Sequence, residues 1–253
     1  MHDVVVLVPT RHEAPNVAAL AERAETALEA TGLRWRIVFV DDSDDETVAV
    51  LAGLAAVSDR VSVLHRAPGE RHGGIAGALL AGLAVAESRW VAVMDADLQH
   101  PPELLADLLQ PLRAGTAQVV VGSRFMAPSA SASRGRSGRV RPAVSTVARR
   151  LVRAALPRAR VVTDPLGGFF AFERGVIDDV VINTDAVRFL LDLLIRGRWR
   201  LVAEIPYTAA ARAAGRSKTG VAEAWRLAWQ VARLRLVGSD RRPALAGAPA
   251  IAR

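Results

Sequence analysis

Asp95 and Asp97 flank Ala96 in the segment MDADLQHPPE, immediately after the apolar run at 90–94. At the end of an extended strand, side chains at i and i+2 project to the same side. The two carboxylates can therefore face one ion, and Gln99 continues the alternation with a neutral amide oxygen. Hard oxygen donors of this kind suit Mg2+ or Mn2+, which commonly hold substrate phosphates as well. An Asp-x-Asp triplet by itself is equally a surface turn. The strand before it and the Gln-His-Pro-Pro-Glu after it give this one its specificity. Comparable chemistry follows other apolar runs: Pro9 to Glu13 after 4–8, Asp41 and Asp42 after 35–40, and Gly122-Ser123-Arg124 after 119–121. Ligands of an open parallel sheet bind outside the carboxyl ends of its strands. These segments together predict one acidic rim, whose mutual repulsion a divalent cation and a polar ligand would relieve.

The elements that must carry this rim are legible as apolar runs alternating with helical patterns, the signature of βαβ units. Strands are expected at 4–8, 35–40, 61–64, 90–94, 119–121, 169–172 and 200–205. Helices are expected at about 16–30, 48–57, 74–87, from Pro101 onward, 143–155, 187–196 and 221–237. In the last of these, Trp225, Ala228, Trp229, Val231, Ala232 and Leu236 recur at helical spacing and predict an amphipathic helix. Trp225 and Trp229 suit a core face or, flanked by Arg226, Arg233 and Arg235, a face lying in a lipid interface. His12, His72 and His100 stand singly and read as turn or surface residues. Residues 1–220 are expected to form one catalytic domain, and 221–253 an amphipathic helix followed by a disordered tail.

The composition narrows the field. With 51% apolar and 23% charged residues, the 253-residue chain is that of a globular protein with a sizeable core. The absence of cysteine excludes disulfides, thiolate metal sites and a cysteine nucleophile. Met1, His2 and Asp3 lead directly into a strand pattern, so no leader is expected, and no apolar run approaches the length of a membrane span. The net charge of +7 is concentrated: 128–163 holds nine arginines and no acidic residue. Such a block attracts polyanions, whether nucleic acid, anionic lipid or a phosphorylated substrate. A nucleic-acid-binding protein without catalytic activity is one reading of this charge. No readable nucleic-acid module accompanies it, and an acidic sheet rim would repel a phosphate backbone.

Read in order, VVVLVPTRHEAPN, FVDDSDDET, LHRAPGERHGGIAGALLAGLAVAES, VMDADLQHPPE, VGSRF, DPLGGFFAF and ARAAGRSKTG resemble the family-2 glycosyltransferases. Within them they are most similar to the polyprenol-phosphate (dolichyl-phosphate) mannosyltransferase branch. The resemblance implies an α/β GT-A (Rossmann-like) nucleotide-sugar-binding fold with a mostly parallel central sheet. It also implies a nucleotide-sugar donor, Mg2+ or Mn2+, and inversion at the anomeric carbon. Residue by residue, it assigns the metal to Asp95, Asp97 and Gln99, with Ala96 beside the nucleotide. Pro9, Arg11, Glu13, Phe39 and Asp41 would form the base and ribose pocket. Arg124, Arg212 and Lys218 match phosphate-contacting positions. Arg141 and Ser145 match the segment that meets the phosphate of the lipid acceptor. Two departures stand out: Arg11-His12 where the family commonly has Tyr-Asn, and Thr184-Asp185-Ala186-Val187 in place of a Pro-x-Gly-Phe stretch.

A lipid monophosphate is already an anionic oxygen nucleophile near neutral pH, whereas a sugar hydroxyl needs a general base. The resemblance thus implies an arginine-lined acceptor site, with Arg124 and Arg141 as phosphate clamps and the 128–163 block on the acceptor side. Asp97, Arg124, Arg212 and Lys218 would stabilise the departing diphosphate. Two donors remain open, GDP-mannose, which the resemblance favours, and UDP-glucose or another UDP-sugar. The expected setting is the cytoplasm, peripheral to the cytoplasmic face of a membrane, with a polyprenyl-phosphate acceptor, no nucleic acid, and a separate membrane-protein partner as a further expectation.

Overall fold

The computed structural model describes residues 2–126, 140–184, 186–210, 221–236 and 244–245. Eight strands form one sheet in the order β3-β2-β1-β4-β6-β5-β7-β8. The strands are β1 (His2–Thr10), β2 (Trp35–Asp41), β3 (Val61–His65), β4 (Ser88–Val93), β5 (Val119–Ser123), β6 (Phe170–Glu173), β7 (Leu201–Pro206) and β8 (Ala244–Leu245). β1 pairs in parallel with β2 and β4, β2 with β3, β5 with β7, and β7 with β8. β6 alone runs antiparallel, wedged between β4 and β5. The helices are α1 (Ala14–Glu29), α2 (Thr47–Val57), α3 (Gly74–Val85), α4 (Leu105–Arg113), α5 (Val140–Ala155), α6 (Phe189–Arg196) and α7 (Val221–Leu236).

Near-continuous apolar strands are buried on both faces, as parallel sheets require, and here each face has its own core. Val4, Val6 and Val8 of β1 pack with Leu20 and Leu28 of α1 and with Leu105, Leu108 and Leu112 of α4. Val5 and Leu7 pack on the opposite face with Leu79 and Leu83 of α3 and Leu190, Leu193 and Leu194 of α6. Burying each such leucine contributes about 2 kcal/mol. Gly82 lets α3 lie close on the sheet: a Cβ there would stand 2.9 Å from Val40 and 3.0 Å from Leu7.

α7 docks on this frame, but not by the stripe the sequence suggested. Its inward residues are Gln230 and Leu234, with Leu227 and Val231 partly covered, against Val152 of α5, Leu156 just after it, and Leu191 and Ile195 of α6. Trp225 and Trp229 face outward, 73% and 68% exposed. The polar anchor is Gln230. Its amide donates to Asp192 (2.5 Å) and the Arg188 carbonyl (2.9 Å), and its oxygen accepts from the Val187 and Arg188 N–H groups. Burial raises the pKa of Asp192, against the opposing pull of Gln230 and Arg196. Beyond α7, Ala244 and Leu245 pair with Leu201 and Val202 of β7. The remaining tail positions lie outside the described residues. Among the described residues no helix is long and apolar enough to cross a membrane.

Candidate functional site

The rim expected from the sequence forms at the carboxyl ends of β1, β2, β4 and β5. β4 ends at Val93, so Asp95 and Asp97 stand in the turn beyond it rather than on the strand. Leu98 takes a left-handed φ of 60°, which ends the extended alternation before Gln99. That residue reaches the site through its backbone: its N–H donates to Asp97 Oδ1 at 3.1 Å, and its carbonyl accepts the Ala210 N–H at 3.1 Å. Asp97 is 5% exposed and Ala96 is buried behind it, whereas the Asp95 side chain is 43% exposed.

His100, read as a surface residue, is instead part of this turn. It is 5% exposed, and its Nδ1 accepts the Asp95 backbone N–H at 3.0 Å. The ring stacks on Phe169, with centroids 5.3 Å apart, and meets the edge of Tyr207 at 5.7 Å. Burial lowers its pKa, against the raising influence of Asp95 and Asp97. Gly168 completes the enclosure. A Cβ there would lie 2.9 Å from both Asp95 carboxylate oxygens, so any larger residue in this approach to β6 would displace the carboxylate.

Arg124 follows β5 and forms a bidentate pair with Asp164, Nε to Oδ2 at 2.7 Å and the second nitrogen to Oδ1 at 3.0 Å. Asp164 is 1% exposed on its side chain and Arg124 37%, so one guanidinium edge remains open to the rim. Burial pulls the Arg124 pKa down, but the ion pair with Asp164 outweighs it and raises the net value. Behind this pair, Glu204 accepts the Thr163 N–H at 2.7 Å, the Thr163 hydroxyl at 3.0 Å and the Asp164 N–H at 3.4 Å. Burial raises the Glu204 pKa. Among the described residues the buried Tyr207 hydroxyl has no hydrogen-bond partner, and burial raises its pKa, opposed by Arg124.

On the β1–β2 side, Asp41 is 0% exposed. Its Oδ1 accepts the Ser43 N–H and hydroxyl, and its Oδ2 bonds His65 Nδ1 at 2.8 Å. Asp42 is held bidentate by Arg66 at 2.7 and 2.6 Å. Glu13 accepts from Asn16 at 2.6 Å, and its N–H donates to Thr47 at 3.0 Å. His12 turns to Asp44 at 2.5 Å. Pro9 is partly covered and Arg11 exposed at the end of β1. Phe39 corrects the expectation of a pocket residue: at 0% exposure it belongs to the core beneath the rim.

The basic block is also partly reassigned. Arg158 is 5% exposed and donates to the carbonyl of Ile195 in the last turn of α6 and to those of Gly197 and Trp199 just beyond it. Arg160 caps α5 through the Arg153 and Ala154 carbonyls, and Arg149 bonds the Thr163 carbonyl while lying 4.2 Å above the Phe125 ring. These cations satisfy helix-end carbonyls and backbone rather than waiting for an acceptor. Arg141 and Ser145 fall on α5, with side chains outside the described residues; Arg212 and Lys218 lie outside them altogether.

Among the described residues no three His, Asp or Glu side chains converge on one point as a protein-only metal cage. Two hard carboxylates on a tight turn, one of them open, fit Mg2+ or Mn2+ taking its other ligands from a diphosphate and water. The rim thus brings together Asp95, Asp97 and Arg124, and adds His100, Asp164, Gly168, Tyr207 and His65. DPLGGFFAF was the available signal for Asp164 and Gly168, although its chemistry emerges only from the fold.

Residues 5–181 match the family model described as glycosyl transferase family 2. A dolichol-phosphate mannosyltransferase of Pyrococcus furiosus is 33% identical over 221 residues, covering 85% of this chain; the chain spans 58% of that protein's length. A protein of the same name from Saccharomyces cerevisiae is 29% identical over 223 residues, covering 84% of this chain and 79% of its own length. Glucosyl-3-phosphoglycerate synthase from Mycobacterium tuberculosis, solved with Mn2+, UDP-glucose and phosphoglyceric acid, superposes with a TM-score of 0.64 at 19% identity. That alignment covers 93% of this chain and 79% of the synthase, and establishes a shared fold.

Proposed function

The chain belongs to glycosyl transferase family 2, and from that premise we propose that it transfers a sugar, with inversion, from a nucleoside-diphosphate donor onto a polyprenyl phosphate at a membrane surface. GDP-mannose is the favoured donor, and Mg2+ or Mn2+ the metal. The observation that carries this reading is the meeting, through Gly168, of the Asp95–Asp97 turn with the Asp164 loop that holds Arg124. A carboxylate pair for a metal–diphosphate and an arginine for phosphate then serve one rim. The strand order sets the donor's span. From β4 to β2 is two strand spacings, roughly 10 Å, a fitting separation between a diphosphate at Asp95 and a base near Asp41.

The metal would be held by Asp95 and Asp97, with Gln99 as the third candidate ligand, and would neutralise charge on the departing diphosphate. The acceptor phosphate oxygen attacks the anomeric carbon from the face opposite the donor oxygen. The anomeric carbon–oxygen bond breaks, and its electron pair leaves on the diphosphate. No proton moves, so no general base is needed. Accordingly, the site's carboxylates serve as ligands and anchors: Asp97 holds the Gln99 N–H and Asp164 holds Arg124. Arg124 orients phosphate oxygens with its open edge, and Arg212, Lys218, Arg141 and Ser145 are the further phosphate-facing candidates.

A UDP-sugar on the same acceptor is the second reading. It is favoured by the β1 loop, where His12 is occupied by Asp44 and Arg11 replaces the family's usual tyrosine. Incubating the protein with Mn2+ or Mg2+, a polyprenyl phosphate in detergent and a panel of labelled nucleotide sugars decides between them. Labelled lipid from GDP-mannose alone supports the first, and from a UDP-sugar the second. No lipid product from any donor overturns both.

The outward stripe of α7 is the proposed lipid-facing surface. Trp225, Trp229 and Leu236 (87% exposed) lie on the outside with Arg226, Arg233 and Arg235, a pairing that suits an anionic lipid interface. The double substitution Trp225→Ser, Trp229→Ser is expected to reduce co-sedimentation with anionic liposomes by about ten-fold. Thermal stability should stay near wild type, because neither ring is buried. Undiminished sedimentation would remove this surface from the reading. A separate membrane-protein partner remains a proposal that co-purification from membranes can test.

A further inference from the structure

We propose that His100 is the positioning residue of the metal site: a neutral imidazole whose Nδ1 lone pair fixes the Asp95 backbone and so aims the Asp95 carboxylate. This inference rests on the assignment of Asp95 to the metal and deepens it.

The geometry leaves little freedom. A backbone N–H can only donate, so the 3.0 Å contact from Asp95 N to His100 Nδ1 requires an unprotonated Nδ1. A neutral ring then carries its proton on Nε2, which lies 3.7 Å from Asp95 Oδ2. One imidazole thus faces both ends of the same aspartate, as acceptor to its backbone and as a donor-side neighbour of its carboxylate. Phe169 and Tyr207 fix the ring itself. They pack against it at 5.3 and 5.7 Å and against each other at 5.6 Å, with interplanar angles of 16°, 79° and 76°.

The turn needs such a fixture. Asp95 lies past the last hydrogen-bonded residue of β4, and Leu98 holds a left-handed φ three residues on. No strand ladder therefore fixes the Asp95 N–H, and His100 takes that role. Gly168 bounds the carboxylate from the other side, where a Cβ would stand 2.9 Å from both oxygens and push the carboxylate aside. Outer groups that orient a metal ligand typically change metal affinity about 10- to 100-fold when removed.

The test separates positioning from packing. His100→Phe keeps an aromatic ring and loses the acceptor; His100→Asn places an amide oxygen near the Nδ1 position. Mn2+ affinity in the presence of GDP or UDP, read by electron paramagnetic resonance of free Mn2+, should fall about ten-fold or more in the Phe variant. In the Asn variant it should recover to within about three-fold of wild type. Equal losses in both variants, or wild-type affinity in the Phe variant, overturn the proposal. Asp95→Asn is the control on the underlying assignment: if it binds Mn2+ like wild type, the metal site itself is misplaced. If it loses Mn2+ while the Phe variant does not, only the role of His100 fails. One measurement needs no variant to fold. Long-range 1H–15N spectra of the wild-type protein should show His100 protonated on Nε2, and a proton on Nδ1 would refute the arrangement.

Discussion

Asp97→Asn is expected to lower kcat/KM by roughly 1,000-fold, the kinetic equivalent of about 4 kcal/mol, while leaving the fold intact. Asn has the volume of Asp and keeps an oxygen for the Gln99 N–H, the local bond that shapes the turn. What it lacks is the charge that would draw a divalent ion to a site 5% exposed. The deficit should therefore fall on catalysis and Mn2+ binding together, with an unchanged melting temperature. Product formation from the labelled donor, measured across a Mn2+ titration, checks it. A variant keeping more than about a tenth of the activity would mean that the metal is not what Asp97 holds.

The second large effect is expected at Arg124. Removing the guanidinium strands the buried carboxylate of Asp164, so Arg124→Ala carries a stability cost as well as a catalytic one. A fully buried pair broken on one side costs roughly 3–5 kcal/mol. With the arginine side chain 37% exposed, solvent screening reduces this to about 2 kcal/mol. Activity should fall about 100-fold, as for other lost transition-state donors. The double variant Arg124→Ala, Asp164→Ala removes both charges. It should recover part of the stability in denaturant unfolding and none of the activity. Recovery of activity with stability would reduce Arg124 to a structural role. Arg124→Lys should keep the charge yet lose the two-point grip on Asp164 and so act as a partial replacement.

The parts of the site legible in the sequence were those whose chemistry is local. The apolar runs located seven of the eight strands to within a few residues, missing β8 in the segment expected to be a disordered tail, and the acidic or glycine-arginine segments after β1, β2, β4 and β5 marked the rim. The contributions of distant segments were not legible. Nothing near Arg124 names Asp164 as its partner, since the two meet only when β6 enters the sheet next to β5. His100 looked like a stray surface histidine because burial under Phe169 and Tyr207 is a property of the fold. Gln99 followed the strand alternation only on paper, because Leu98 turns the chain. Phe39 was drawn into the pocket by the resemblance, although an apolar residue on a doubly covered strand belongs to the core. In α7 the tryptophans dominated the hydrophobic pattern, while the buried face is centred on Gln230, a polar residue whose hydrogen bonds no periodicity displays. Part of the arginine block has a role that charge spacing does not display. Charge spacing reads as a polyanion site, yet Arg158 and Arg160 are consumed by helix ends.

The reversed direction of β6 has a consequence for the order in which the protein becomes functional during its synthesis. Every other internal strand of the sheet leads its chain up to the rim, whereas β6 starts there and runs away from it. A nascent chain released only through β5 has already made Asp95, Asp97 and His100, but the flank of β4 that β6 will cover is bare and the imidazole has no ring to rest on. Phe169 and the glycine beside Asp95 arrive with the return of 168–173, and Tyr207 only after β7. Until that long-range pairing closes, the acidic turn lacks this support, so the geometry of the proposed ion-binding turn is a product of the second half of translation although its carboxylates belong to the first.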